Sequence, residues 1–191
     1  MQASVRRSVT ARCREPVDHA DERTDGPSPD ILRPVTPEDY PSLLFDAAAL
    51  WEMTSSEGLD ELVQTATSAL VLGVDMPSIR YLAGETDTAS YWALRPYVEA
   101  MLDALGLDYP RGQAGEVAGM RSMCRRLLRG AISEQRLTTW VLHSIGWEGT
   151  SEAREFLELE SAYSEVDALE LDVKALDVAV HREAERLLSV T

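Results

Sequence analysis

The stretch Ala69–Thr86, ALVLGVDMPSIRYLAGET, decides how the rest of the chain is read. A helix-turn-helix asks for a small residue late in its first helix and a glycine four positions on, at the turn. It then asks for an aliphatic residue six positions further and another three after that. Ala69, Gly73, Ile79 and Leu82 satisfy all four. Each has a physical reason: alanine lets the helices approach, glycine accepts the left-handed turn, and the aliphatics pack the second helix on the first. Asp75 is placed to cap the second helix, Pro77 is tolerated in its first turn, and Gly84 stops it after about Ala83.

Those positions specify a corner between helices, not DNA. Reading DNA needs outward residues on the second helix that reach phosphates and base edges. The outward set is Asp75, Met76, Pro77, Arg80, Tyr81 and Gly84, in which only Arg80 and Tyr81 are useful donors. The preceding segment, SSEGLDEL, adds three acids and no base, and Glu85 and Asp87 follow. Phosphate contacts dominate affinity for nucleic acid, and they have no source here. A core corner is the expectation. A DNA-binding regulator using residues 65–84, with Arg80 and Tyr81 as its contacts, is the runner-up.

Outward from this corner the punctuation is helical. Thr36-Pro37-Glu38-Asp39 reads as a cap, a proline and first-turn acids before SLLFDAAALWEM. Ser55 or Ser56 can cap a helix whose apolar face is Leu59, Leu62, Val63, Ala66 and Leu70, ended by Gly73. Pro96 belongs in a first turn, which starts the next helix near Trp92 or Ala93; Leu94, Val98, Met101, Leu102 and Leu105 form its stripe before Gly106. Val117, Met120, Cys124, Leu127 and Leu128 form another, ended by Gly130. Ser133 caps a helix with Leu137, Trp140, Val141 and Ile145, closed by Gly146. Thr150 or Ser151 opens SEAREFLELESAY, and Val173, Leu176, Val180, Ala184 and Leu187 mark the last helix.

No window alternates with the period of a strand. The expectation is an all-α fold, a single bundle of about seven or eight helices over residues 36–191. Residues 1–35 differ. EPVDHADERTDGPSPDILRPV is rich in proline and charge and poor in apolar residues, so it reads as a disordered tail or an over-long reading frame.

The chain of 191 residues has 33 acids against 18 bases, a net charge of −15. Such a surface repels phosphate backbones and anionic lipid and favours basic partners. The charge is uneven: residues 42–110 are net −9 and 148–191 net −8, while 111–147 are net +4. Within that basic segment Arg121, Arg125 and Arg129 recur every four residues, with Arg126 beside them. The stripe is expected to meet acids of flanking helices inside the domain; the competing reading is an anion-binding patch.

Two cysteines, Cys13 and Cys124, make no disulfide framework and no metal spacing, which points to a reducing, cytoplasmic compartment. No apolar run approaches membrane-spanning length, and no secretory signal is legible. His19, His143 and His181 stand apart, Glu155, Glu158 and Glu160 read as a solvated acidic face, and no phosphate loop or nucleophile elbow occurs. No cofactor is expected.

Trp140 lies on an apolar stripe and reads as core. Trp92 and Trp147 lie at helix edges, where a cap on the core is favoured over an interface anchor. TASYWALRPY nevertheless gathers Tyr91, Trp92, Arg95 and Tyr97, the side-chain types that interface hot spots prefer, and makes the best candidate contact surface.

The order LVLGVDMPSIRYLAGE, then YVEAMLDALGLDYP, then a helix of small residues and arginines, over residues 57–145, resembles a class of acidic all-helical bacterial proteins. That class has no defined activity and has the look of immunity or antitoxin proteins. The resemblance implies an all-helical fold and carries over no functional residue. Together these readings favour a non-enzymatic protein that binds another, basic protein. An enzyme whose site is assembled from dispersed helical acids stands as a third reading.

Overall fold

A computed structural model describes residues 34–54, 56–86, 90–166 and 172–190. Nearly all of the expected tail, including Cys13 and His19, lies outside the described residues, as do Ser55 and Asp87. The described residues form eight α-helices and no strand: α1 (Tyr40–Thr54), α2 (Ser56–Val71), α3 (Pro77–Ala83), α4 (Tyr91–Leu105), α5 (Gly112–Leu128), α6 (Glu134–Ser144), α7 (Arg154–Ser164) and α8 (Val173–Ser189). The protein is all-α. No helix among the described residues is long and apolar enough to cross a membrane.

Local chemistry sets most of the boundaries. The Thr36 and Asp39 side chains cap each other's backbone, with Pro37 between them, in a 3-10 turn that leads into α1. Ser90 and Ser133 cap α4 and α6 by accepting from the Ala93 and Arg136 amides. At the corner quoted above, Gly73 takes φ +87°. Its N–H donates to the Leu70 carbonyl at 3.0 Å, and Val74 N–H donates to the Ala69 carbonyl at 2.9 Å. This pair of bonds closes α2 and turns the chain into α3.

Three local expectations need correction. Met76, not Asp75, is the N-cap of α3, and its side chain makes no capping bond. Asp75 is instead drawn five residues forward to Arg80. The α4 helix starts at Tyr91, which makes Pro96 its sixth residue and takes it out of the first turn. The Ser90 cap and the burial of Leu94, Val98, Met101 and Leu102 offset the missing N–H. At the last helix, Val173 is exposed, so the buried stripe reduces to Val180, Ala184 and Leu187 with Glu183 beside it.

The core has two parts that share one helix. Leu62, Ala66, Ala69, Ile79, Leu82, Leu94, Val98 and Met101 gather α2, α3 and α4 around Leu44, Ala47, Ala48 and Trp51 of α1. Met120, Cys124, Leu137, Trp140, Phe156, Val180 and Leu187 gather α5–α8 around Leu50 of the same helix. Consequently α1 is buried on every side from Asp46 to Trp51, which is why SLLFDAAALWEM shows no polar stripe.

Helices pack this closely only where one of them lacks side chains. Gly58 of α2 sits directly over the Trp51 backbone, so a Cβ there would overlap Trp51 itself. Gly119 of α5 faces α1 from the other side; a Cβ there would stand 2.7 Å from Met53 Sδ and 3.9 Å from Leu50 Cα. Backbone cannot yield as a flexible thioether can. Gly58→Ala is therefore expected to lower unfolding free energy by about 1–3 kcal/mol, and Gly119→Ala by less. Urea denaturation midpoints of the two variants check the order; equal midpoints would contradict this packing.

Candidate functional site

Three groups of residues stand out in the sequence: the α5 arginines, the TASYWALRPY cluster and the α3 corner. The fold uses the arginines to hold its helices together. Asp46 is fully buried in the middle of α1, beneath α5. Arg121 grips it as a fork, with Nη2 at 2.6 Å from Oδ1 and Nε at 3.0 Å from Oδ2. Arg125 Nη1 reaches Oδ2 at 2.6 Å. The paired carboxylate also holds the Arg121 guanidinium above its usual range. One turn on, Arg129 Nη2 binds the buried Glu61 of α2 at 2.7 Å. Arg126 donates to the Glu57 carbonyl at 3.4 Å, and Arg136 of α6 pairs with the Glu57 carboxylate. Every arginine of the stripe thus meets an acceptor on α1 or α2.

The second cluster lies where α4 meets α1 and the loop before α5. The structure brings Tyr91 and Arg95 together with two residues that sequence reasoning missed, Glu52 and Tyr109. Both phenols donate to the same Glu52 Oε2, Tyr91 at 2.7 Å and Tyr109 at 2.5 Å. Tyr91 stacks on buried Trp51 with ring centroids 4.7 Å apart. The Arg95 guanidinium lies 6.0 Å from the Tyr91 centroid and 5.5 Å from that of Tyr109, and its Nε donates to Glu99 at 2.9 Å. Arg111 approaches the Tyr109 ring at 5.3 Å. Glu52 carries no signal in sequence, because Tyr91 and Tyr109 lie 39 and 57 residues away.

Two tryptophans overturn the expectation that they cap the core. Trp92 is 74% exposed, held edge-on to Tyr91 at 5.1 Å, and Trp147 is 52% exposed. Trp92 opens α4 on the side opposite the buried Leu94, where no described residue covers it. Trp140 is buried, as expected, although its indole N–H has no hydrogen-bond partner among the described residues.

The α3 corner is joined to this cluster. Tyr97 of α4 stacks on Tyr81 of α3, centroids 3.4 Å apart, and with Glu85 it pushes the Tyr81 phenol up to about 12, Glu85 contributing most. Arg80 is held by both oxygens of Asp75 at 2.5 Å. Both outward donors of the helix-turn-helix therefore have partners within the chain.

Among the remaining acids, Glu155 and Glu158 are exposed, but Glu160 is not part of a solvated face. It is buried, and accepts from the Thr138 hydroxyl at 2.5 Å and the Thr139 hydroxyl at 3.1 Å. His143 is exposed, and His181 Nδ1 lies 3.3 Å from Glu134. Burial pushes the Cys124 thiol well up. Among the described residues no group of three or more His, Cys, Asp or Glu is placed to hold a metal ion. The sequence matches no known family model, no curated protein and no solved structure.

The tyrosines give the site a pH signature. Burial and the Glu52 carboxylate raise Tyr91 and Tyr109, burial and Asp177 raise Tyr163, and Tyr81 rises as described. Unfolded tyrosines ionise near pH 10, before these folded ones. The stability they confer is complete below about pH 10 and is lost as pH rises further, because the unfolded state releases its protons first. Urea midpoints should hold level to about pH 9.5 and then fall, and the fall should be smaller in Glu52→Gln. A midpoint unchanged at pH 11 would contradict the arrangement.

Proposed function

We propose that this protein is a non-enzymatic binding protein whose target is another, basic protein. The observation that carries the reading is the use made of the arginines. Arg121, Arg125 and Arg129 are engaged by Asp46 and Glu61, and Arg126 by the Glu57 carbonyl. The arginine stripe of the basic segment 111–147 is thus turned inward, and a chain of net charge −15 presents mainly acid to a partner. Electrostatic complementarity of this kind speeds encounter and selects partners of opposite sign. An inhibitor or immunity-type protein facing a cationic target, acting in the cytoplasm, fits both this charge and the small helical frame.

The Arg80–Asp75 pair weighs against DNA as the partner, since it engages the cationic donor that a reading helix would need. Affinity capture from native lysate with the full chain, at low and moderate salt, is expected to recover a stoichiometric basic protein whose retention falls as salt rises. A gel-shift at low salt is expected to show no retention of duplex DNA. Recovery of no protein partner at either salt would count against the reading, and DNA retention abolished by Arg80→Ala would replace it with the regulator.

A further inference from the structure

Resting on that reading, we infer that the outer ridge of α4, from Trp92 to Asp103, is the docking surface for a segment of the basic partner bearing an apolar side chain and a lysine or arginine. Trp92, Pro96, Glu99 and Asp103 fall at i, i+4, i+7 and i+11 and are all exposed, so they share one line along the helix. At 1.5 Å per residue that line is about 16 Å long.

The ridge offers a fixed anchor at one end. Trp92 packs its edge against Tyr91, which is itself pinned by the Trp51 stack and by Glu52. A large apolar ring held in place loses little freedom on binding, which is the property of an interface hot spot. The other end offers a socket. A depression of about 190 Å³ opens beside Glu99 and Asp103, with Leu102, Leu107 and Tyr109 forming its apolar part and Arg111 at its side. Apolar wall and carboxylate together suit a side chain with a methylene stem and a cationic head. Glu99 is shared with Arg95, whereas the Asp103 carboxylate has no ion-pair partner among the described residues. Charge decides between occupants: a second copy of this chain brings net −15 to an acidic ridge and is repelled, and a basic segment is attracted.

The test uses the full chain and a synthetic peptide of arginine, lysine and leucine, about eleven residues long to match the ridge. Binding is read by calorimetry at low salt. Trp92→Ala and Asp103→Lys should each weaken it about tenfold. Glu158→Lys, which changes net charge as Asp103→Lys does but at an exposed position of α7, should leave it within about twofold. Equal losses in the two lysine variants, no loss in Trp92→Ala, or no binding at all would overturn the assignment. A lysate partner captured equally by wild type and Trp92→Ala would overturn the ridge while leaving protein binding intact. Absence of any captured partner would remove both.

Discussion

A carboxylate without solvent in the middle of an apolar helix sets the terms for this fold. Taking Asp46 out of water costs several kcal/mol unless its oxygens are fully engaged, and the fork from Arg121 with the added bond from Arg125 engages them. The pairing fixes the rotation of α1, because one step around the helix would set alanine or leucine against the guanidinium groups. It also fixes the position of α5 on α1, so the close approach at Gly119 and the burial of Leu50 among α5–α8 follow from the same registration. On the opposite side Gly58 lets α2 lie against the Trp51 backbone, and the other half of the core assembles there. The shared helix makes two modest hydrophobic clusters mutually dependent.

The same interaction shapes the surface. Arginines used to neutralise Asp46, Glu61 and Glu57 are not available to balance the acids outside. The exposed acidity and the inward basic stripe are therefore two sides of one arrangement. Against that background an exposed tryptophan on a rigid aromatic platform stands out, since the other tryptophan of the α1–α4 cluster, Trp51, is fully covered.

Much of this was legible in the sequence, for reasons that are local. Gly73, Ser90 and Ser133 act through bonds to residues one to five positions away, so their signals survive without knowledge of the fold. The apolar stripes of α2, α4 and α5 are likewise periodic. What was illegible depends on distant partners. Asp46 meets arginines 75 and 79 positions on, Glu160 meets threonines 21 and 22 positions back, and Glu52 meets tyrosines on two other segments. In each case a carboxylate reads as surface until its donors are placed. Gly58 reads as a weak helix former and acts as a clearance. Trp92 reads as a core cap because aromatic residues at helix edges so often are; among the described residues, the face opposite Leu94 has no neighbour to cover it.

The most direct test of this account is the stability of Asp46→Ala beside Arg80→Ala, measured by urea denaturation at neutral pH. Both break an aspartate–arginine pair of similar geometry, one with a fully buried carboxylate and one in solvent. Removing one partner of a buried pair is expected to cost about 3 kcal/mol or more, while the exposed pair should leave the midpoint unchanged. An Asp46→Ala protein as stable as the wild type would show that α1 does not depend on its buried charge.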